Sequence, residues 1–151
     1  EFLNAYFNTF TRLALYLEET KSFARTHGYT ETLFGRRRHF PGIQSSAPFI
    51  RAQAERMAIN APVQGTAADV MRIAMNEVYA YIEDNKLHEE VHMLLQVHDE
   101  LVFEIKDATV EKHVKKIVAI MEGVLKDKDD KGVPIAVRVA LGKNWGELED
   151  V

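Results

Sequence analysis

Three groups of residues have types and spacings that could do chemistry. The first is His98-Asp99-Glu100, a polar cluster between two apolar, β-rich runs that hold Val91, Met93, Leu94, Leu95 and Val97 on one side and Leu101, Val102, Phe103 and Ile105 on the other. Two such runs around a short polar cluster predict a β-hairpin. Apolar strands would pin carboxylates at its tip, and pinned oxygen donors suit magnesium, which is commonly held by one or two carboxylates plus substrate phosphates. A polar turn at an exposed hairpin end has the same composition. The second group is Arg56, Asn60 and Gln64. On a helix they fall at i, i+4 and i+8 on one face, and all can donate hydrogen bonds. The minor groove of duplex DNA offers acceptors at every base pair, so a row of donors could grip a duplex without reading its sequence. The alternative is a solvated helix face in which Glu55 pairs within the helix. The third group is Gly35-Arg36-Arg37-Arg38, whose arginines suit phosphate contacts in a turn. Surface arginine clusters are common, so this string alone is weak.

The elements that must position these groups follow from periodicity. Phe2, Leu3, Tyr6, Phe7, Phe10, Leu13, Ala14 and Leu17 recur at three-four spacing and predict one amphipathic helix, its stripe facing a core, closed by Gly28. Residues 29–32 predict a short strand, with turns at Gly35, Pro41-Gly42 and Ser45-Ser46. Residues 46–60 predict a helix burying Ile50, Ala54, Met57 and Ala58, broken or kinked at Pro62 and Gly65. Thr66-Ala67-Ala68-Asp69 has the form of a capping box opening a third helix, with Val70, Ile73, Ala74, Val78 and Tyr81 inward. After the hairpin, Asp107 can cap a fourth helix with Val110, Val114, Ile117, Val118, Met121 and Leu125 inward. A charged loop is expected over 126–132, and Val133, Ile135, Val137 and Val139 alternate as a half-buried last strand. The fold class expected is α+β: a small antiparallel sheet with a functional β-hairpin, covered by helices.

Composition narrows the setting. The chain has 151 residues, 46% apolar and 28% charged, as globular domains do. Disordered tails and collagenous repeats are excluded, and no run approaches the roughly 18 apolar residues of a membrane span. There is no cysteine, hence no disulfide framework, thiolate zinc site or cysteine nucleophile. The span 21–56 holds seven basic residues (Lys21, Arg25, Arg36, Arg37, Arg38, Arg51, Arg56) against Glu31 and Glu55. Its net charge is +5 in a chain of net −4, leaving −9 elsewhere. Such asymmetry points to a nucleic-acid face, or to a solvated charge run. The absence of cysteine fits a cytoplasmic home, and the start at Glu1, without an initiator Met or a signal-peptide pattern, suggests a piece of something longer.

Together, the strings TLFGRRR, AERMAINAPVQGTAAD and LLQVHDELVFE, in this order and followed by GKNW at 142–145, closely resemble the C-terminal third of the polymerase domain of family A DNA polymerases. The resemblance covers essentially the whole chain. It implies that residues 1–28 are the helix ending the fingers subdomain and 29–151 the C-terminal part of the palm. Asp99 matches the catalytic, metal-binding carboxylate for two magnesium ions, Glu100 a supporting carboxylate, and His98 a residue near the primer terminus. Arg56, Asn60 and Gln64 match residues tracking the minor groove at the primer–template end. Arg36, Arg37 and Arg38 look like template-backbone contacts, and Arg51 extends that basic DNA-binding segment. The partners implied are a DNA primer–template and deoxynucleoside triphosphates, with no membrane and a location at the bacterial nucleoid. Ala47-Pro48 follows Ser45-Ser46 where the family often carries Asn, leaving any contact of that Asn in doubt.

The family's second catalytic aspartate and its nucleotide-binding lysine and tyrosine have no counterpart in the chain. One aspartate cannot hold two ions, so the 151 residues alone are expected not to polymerise. Two other readings stay open: a stand-alone DNA-binding module whose hairpin is idle, and a metal-dependent phosphohydrolase using Asp99, Glu100 and a histidine. The second lacks a compact ligand cluster, because His88, His92 and His98 do not form one.

Overall fold

The computed structural model of the chain describes residues 2–125 and 133–151. The charged loop expected at 126–132 lies outside them. The chain divides into two compact units, Glu1–Asp69 and Val70–Val151. Among the described residues no helix is both long and apolar enough to cross a membrane.

In the first unit the N-terminal helix is two helices, α1 (Phe2–Thr9) and α2 (Thr11–His27), with Phe10 between them at φ −102°, ψ 61°. Neither glycine nor proline marks this break. The Thr9 hydroxyl donates to the Ala5 carbonyl, and such back-bonding bends helices. The aromatic stripe does not form the expected core face. Phe2, Leu3, Tyr6, Phe10 and Leu13 are exposed among the described residues, and Tyr6 packs chiefly on the rings of Phe7 and Phe10. Gly28 closes α2 in the left-handed conformation, its N–H donating to the Ala24 carbonyl. Strands β1 (Tyr29–Glu31) and β2 (Arg37–His39) then pair antiparallel, with Thr30 opposite Arg38 and Glu31 opposite Arg37. Arg37 and Arg38 thus lie in a strand, not in the expected turn. Gly35, at φ +80°, holds the turn just before them.

The largest departure is α3, one helix over Pro48–Asp84 where a break and a second start were expected. Pro62 removes one helical N–H, but Ala54, Ala58 and Ala61 line a single face and bury with Ala24, Phe40 and Ile43. That burial holds the helix together across the missing bond. The residues read as a capping box bond to the β1–β2 turn instead: Thr66 Oγ1 accepts from the Leu33 N–H at 3.0 Å, and Asp69 takes the Arg36 guanidinium. Ile50 and Met57, expected inward, are exposed, because the small alanines occupy the packed face.

The second unit centres on Val78, Ile82, Leu87, Val91 and Ile117, with Tyr81, Phe103, Ile105, Ile120 and Met121 packed around them. Strands β3 (Val91–Val97) and β4 (Glu100–Ile105) form the expected hairpin. A single 3-10 turn over Asp107–Thr109 leads into α4 (Val110–Gly123), and Asp107 makes no capping bond. The sequence reading missed His113, which faces inward and is fully buried. Its Nε2 lies 3.0 Å from the Glu90 carboxylate and its Nδ1 2.8 Å from the Tyr81 hydroxyl. A carboxylate only accepts, so Nε2 carries the proton and Nδ1 accepts from Tyr81 in the neutral ring. Burial raises the Tyr81 pKa.

The alternating stretch 133–139 is not a strand. Pairing begins only at β5 (Ala140–Leu141) with β6 (Glu149–Asp150), and alternation without a partner strand makes no ladder. Gly142 permits the tight return between them, since a Cβ there would meet the Glu147 carbonyl oxygen at 2.3 Å. The α+β class holds, with three two-stranded antiparallel ribbons among the described residues in place of one small sheet.

The packing of α3 and the Glu90–His113 bond each set a measurable stability. Ala58 is fully buried, so Ala58→Leu should overpack the α3 face and destabilise the fold by about 1–3 kcal/mol in urea unfolding. The hydrogen bonds from His113 and then Thr109 hold the Glu90 pKa below its ordinary 4.5. A depressed carboxylate contributes stability that is complete above its unfolded pKa and is lost as pH falls through its folded value. Glu90→Gln should therefore flatten the stability–pH curve below about pH 4.5 and leave its shape at neutral pH unchanged, as urea midpoints across pH would report.

Candidate nucleic-acid and metal site

Val97 pairs with Glu100, so the hairpin closes through only two residues, His98 and Asp99. Tight hairpins need a positive φ at a central position, and His98 supplies it at +54°. That conformation is uncommon outside glycine, with histidine among the residues that tolerate it. The Gln96 side chain donates to the His98 carbonyl and braces the strained turn. The sequence reading did not single out Gln96. Below the tip, the register slips between Met93 and Leu95, leaving Leu94 as an extra residue that sharpens the local twist.

His98, Asp99 and Glu100 are all exposed, and among the described residues their side chains make no hydrogen bond or ion pair. Two adjacent carboxylates on a braced turn are hard oxygen donors left unused by the fold. They fit a magnesium ion as a partial shell, to be completed by substrate phosphates, water or other carboxylates. They do not form a closed site: no cluster of three His, Cys, Asp or Glu side chains among the described residues could hold a metal alone.

The donor row sits on the first-unit part of α3. Because α3 is unbroken from Pro48 to Asp84, Arg56, Asn60 and Gln64 keep their i, i+4, i+8 alignment, rising about 6 Å per step. All three are exposed, and none makes a side-chain hydrogen bond among the described residues. The intrahelical partner considered for Arg56 is engaged elsewhere, since Glu55 accepts from Nε and Nη2 of Arg25 at 2.9 and 2.7 Å.

The arginine cluster divides by partner. Arg36 donates through Nε to Asp69 at 2.7 Å and through Nη2 to the Gly65 carbonyl at 3.0 Å. Arg37 bonds Glu31 at 2.6 Å and lies 4.5 Å from the centre of the Tyr29 ring. Arg38 rests 5.6 Å from the centre of the Phe40 ring and has no carboxylate partner among the described residues. Half-buried Arg51 donates to the Ser45 carbonyl at 3.1 Å. The arginines and the donor row belong to the first unit; His98, Asp99 and Glu100 belong to the second. Sequence reasoning missed the buried acceptor that holds Arg36, because Asp69 was read as part of a cap.

Comparison with known proteins bears on what such a site belongs to. DNA polymerase I of Rhizobium leguminosarum is 45% identical over 147 residues, covering 97% of this chain and 14% of the relative. The thermostable DNA polymerase I of Thermus aquaticus is 41% identical over 144 residues, covering 95% of this chain and 16% of its own length. Among solved structures, the polymerase domain of Pol1 from M. smegmatis, in complex with DNA primer–template and dNTP, superimposes with a TM-score of 0.76 at 39% identity. That match covers 81% of this chain and 21% of the other. The chain therefore spans about a seventh of the length of the curated relatives it matches. The sequence model of DNA polymerase family A takes in residues 1–147, and with it the hairpin, the arginines and the donor row: the chain belongs to that family.

Proposed function

We propose that this chain is the palm-containing end of the polymerase domain of a DNA-directed DNA polymerase, which adds deoxynucleotides to a primer 3′ end on a DNA template. Residues 1–28 would close the fingers subdomain and 29–151 would form the C-terminal part of the palm. The observation that carries this reading is the unengaged Asp99 carboxylate on a two-residue hairpin turn, in a chain of this family. Asp99, supported by Glu100, would hold magnesium, with the remaining carboxylates supplied from outside this chain. When bound, divalent ions at such a site stabilise the charge that develops on the attacking and leaving oxygens of phosphoryl transfer. The chain's own residues do the positioning. Gln96 fixes the backbone at His98, and the hairpin fixes Asp99 relative to the strands. On α3, Arg56, Asn60 and Gln64 offer donors to the primer–template minor groove, and the basic segment around Arg36, Arg37, Arg38 and Arg51 attracts the phosphate backbone.

Asp99→Ala in the full-length protein tests this reading. Primer extension should fall by at least about a thousandfold, because lost transition-state charge stabilisation of several kcal/mol translates at 1.36 kcal/mol per tenfold. Primer–template affinity should change little. A variant retaining a tenth of the wild-type rate would mark Asp99 as a mere turn residue.

The donor row gives a second test. Minor-groove acceptors sit in similar positions in all correct pairs, so a donor there senses pair geometry and not base identity. A mispair leaves a donor poorly matched, at about 1–3 kcal/mol. Arg56→Ala and Gln64→Ala should slow single-turnover extension from matched primer termini more than from mismatched ones. Equal slowing of both would rule out the minor-groove role.

A further inference from the structure

Among the described residues, His113 is the largest fully buried side chain, and the polymerase reading above gives it no task. Its ring joins three elements of the second unit. From α4, Nε2–H donates to the carboxylate of Glu90, the residue just before β3, at 3.0 Å. Nδ1 accepts from the hydroxyl of Tyr81, near the end of α3, at 2.8 Å. Glu90 is also where the hairpin closes. Its carbonyl accepts from the N–H of Lys106, one residue beyond β4, at 2.9 Å, and the Leu87 carbonyl accepts from the N–H groups of both Glu90 and Val91. One side chain therefore reaches the backbone at which the hairpin starts and the helix on which it packs.

A hydroxyl, an imidazole and a carboxylate in series have the order of a nucleophile, its base and an orienting group. Burial speaks against that use: the ring has no exposed surface, and the Tyr81 pKa is raised, away from the phenolate a nucleophile needs. Stability alone does not ask for the polar ring either. Ile117 lies one turn further along the same face of α4 in an apolar cluster, and replacing a bonded polar group by an apolar one of similar shape can be nearly neutral. What the ring adds is a fixed direction. β3 carries the tip about 20 Å from the anchor, at about 3.3 Å per residue. Apolar burial concentrates at the base, on Val91, Phe103 and Ile105, whereas Leu94 and Leu95 further out are exposed. A turn of about 5° at the base would thus swing the tip by roughly 2 Å. A misplacement of about 1 Å at reacting groups can cost about a hundredfold in rate.

We propose that His113 is a positioning residue for nucleotidyl transfer: by bonding Glu90 and Tyr81 at once, it fixes the angle at which the hairpin leaves its base, and so the place of Asp99. This rests on the polymerase reading above and deepens it. The two bonds have different tasks. The Glu90 bond holds the start of β3. The Tyr81 hydroxyl, by donating to Nδ1, keeps the ring proton on Nε2, where the carboxylate takes it. Loss of the donor to Glu90 is therefore the larger defect, and loss of the Tyr81 hydroxyl the smaller one.

The test uses the full-length protein and combines thermal melting, single-turnover primer extension with magnesium, and amide hydrogen exchange of residues 91–105 without metal or DNA. His113→Leu should keep a thermal midpoint near that of wild type and exchange its hairpin amides faster. Its kcat should fall about tenfold, with KM for deoxynucleoside triphosphate and primer–template affinity unchanged. His113→Gln places an amide N–H₂ near the position of Nε2, and it should restore most of kcat and the slow exchange. Tyr81→Phe removes one oxygen from a half-buried residue and should show the same split in smaller measure. It carries the test by itself if His113→Leu does not fold, and unchanged kcat and exchange in it would then overturn the proposal. Hairpin exchange and kcat unchanged in folded His113→Leu, beside normal wild-type extension, would overturn the positioning role alone. So would a loss of kcat that follows the thermal midpoint and that glutamine does not restore, since the ring would then be an ordinary core residue. Folded wild-type protein that extends no primer would remove the polymerase reading itself, an outcome the exchange measurement does not share.

Discussion

The Arg36–Asp69 ion pair is the interaction on which the first unit depends. Asp69 is 7% exposed on a helix of 37 residues, and the guanidinium that meets it at 2.7 Å comes from a residue 33 positions earlier. A buried carboxylate stripped of its cation is strongly destabilising, so the pair fixes the β1–β2 ribbon against α3. The same guanidinium bonds the Gly65 carbonyl, and Thr66 Oγ1 takes the Leu33 N–H, giving three ties within five residues of helix. They secure α3 just beyond Pro62, where a helix is weakest. An unbroken α3 is in turn what aligns Arg56, Asn60 and Gln64. The ion pair and the donor row are therefore one construction: loosening the ribbon from the helix would disturb both.

The second unit solves a different problem, that of presenting a carboxylate at a defined point without burying it. Asp99 gains its position from backbone geometry. The strands fix both ends of a two-residue turn, His98 accepts an unfavourable φ, and Gln96 holds the His98 carbonyl. At the other end of the hairpin, Val91 is buried in the apolar cluster beside Glu90, which is bonded to the buried His113. The base is anchored by packing and a polar triad, while the tip is left exposed with its carboxylates unengaged. Local strain of this kind persists where surrounding structure over-determines it, and it concentrates at functional sites.

What could be read from the sequence was what depends on local pattern. The hairpin was legible because two β-rich apolar runs flank a short polar cluster, and Gly28 was legible because a glycine just past a helix terminus is a common stop. Residue type and spacing single out Asp99 and the donor row only as candidates, and the structure leaves their side chains unengaged among the described residues. The misses have a common cause in interactions between residues distant along the chain. Pro62 and the Thr66–Asp69 box look like a helix boundary only if Ala54, Ala58 and Ala61 have nothing to pack on and Arg36 is elsewhere. Arg37 and Arg38 look like part of a turn with Gly35 and Arg36 only as long as their strand partners, Glu31 and Thr30, are left out of account. Stretch 133–139 alternates as a strand does, yet a ladder needs a partner and periodicity does not reveal one. Inward-facing His113 carries no local signal, since its two partners are 32 and 23 residues away.

Ion pairing within the basic segment decides which of its cations are available to a partner. In the span 21–56, Arg25, Arg36 and Arg37 are bonded to Glu55, Asp69 and Glu31, and Lys21 to Glu18. The net +5 of the span already counts Glu31 and Glu55, and the pairs to Glu18 and Asp69 lower the charge available to a partner further, to +3. Arg38, Arg51 and Arg56 have no carboxylate partner among the described residues, Asn60 and Gln64 add exposed donors beyond the span, and Asp99 and Glu100 are unengaged in the second unit. Intramolecular partners would have stabilised the chain, and Glu55 stands beside Arg56 in sequence yet bonds Arg25. Donors left on the exposed face of α3, and acceptors left at a braced turn, form a complementary division of chemistry: the first unit suits an anionic, acceptor-rich strand, and the second suits a hard cation. A polyanion whose reaction depends on divalent ions asks for both, and for each on a rigid element.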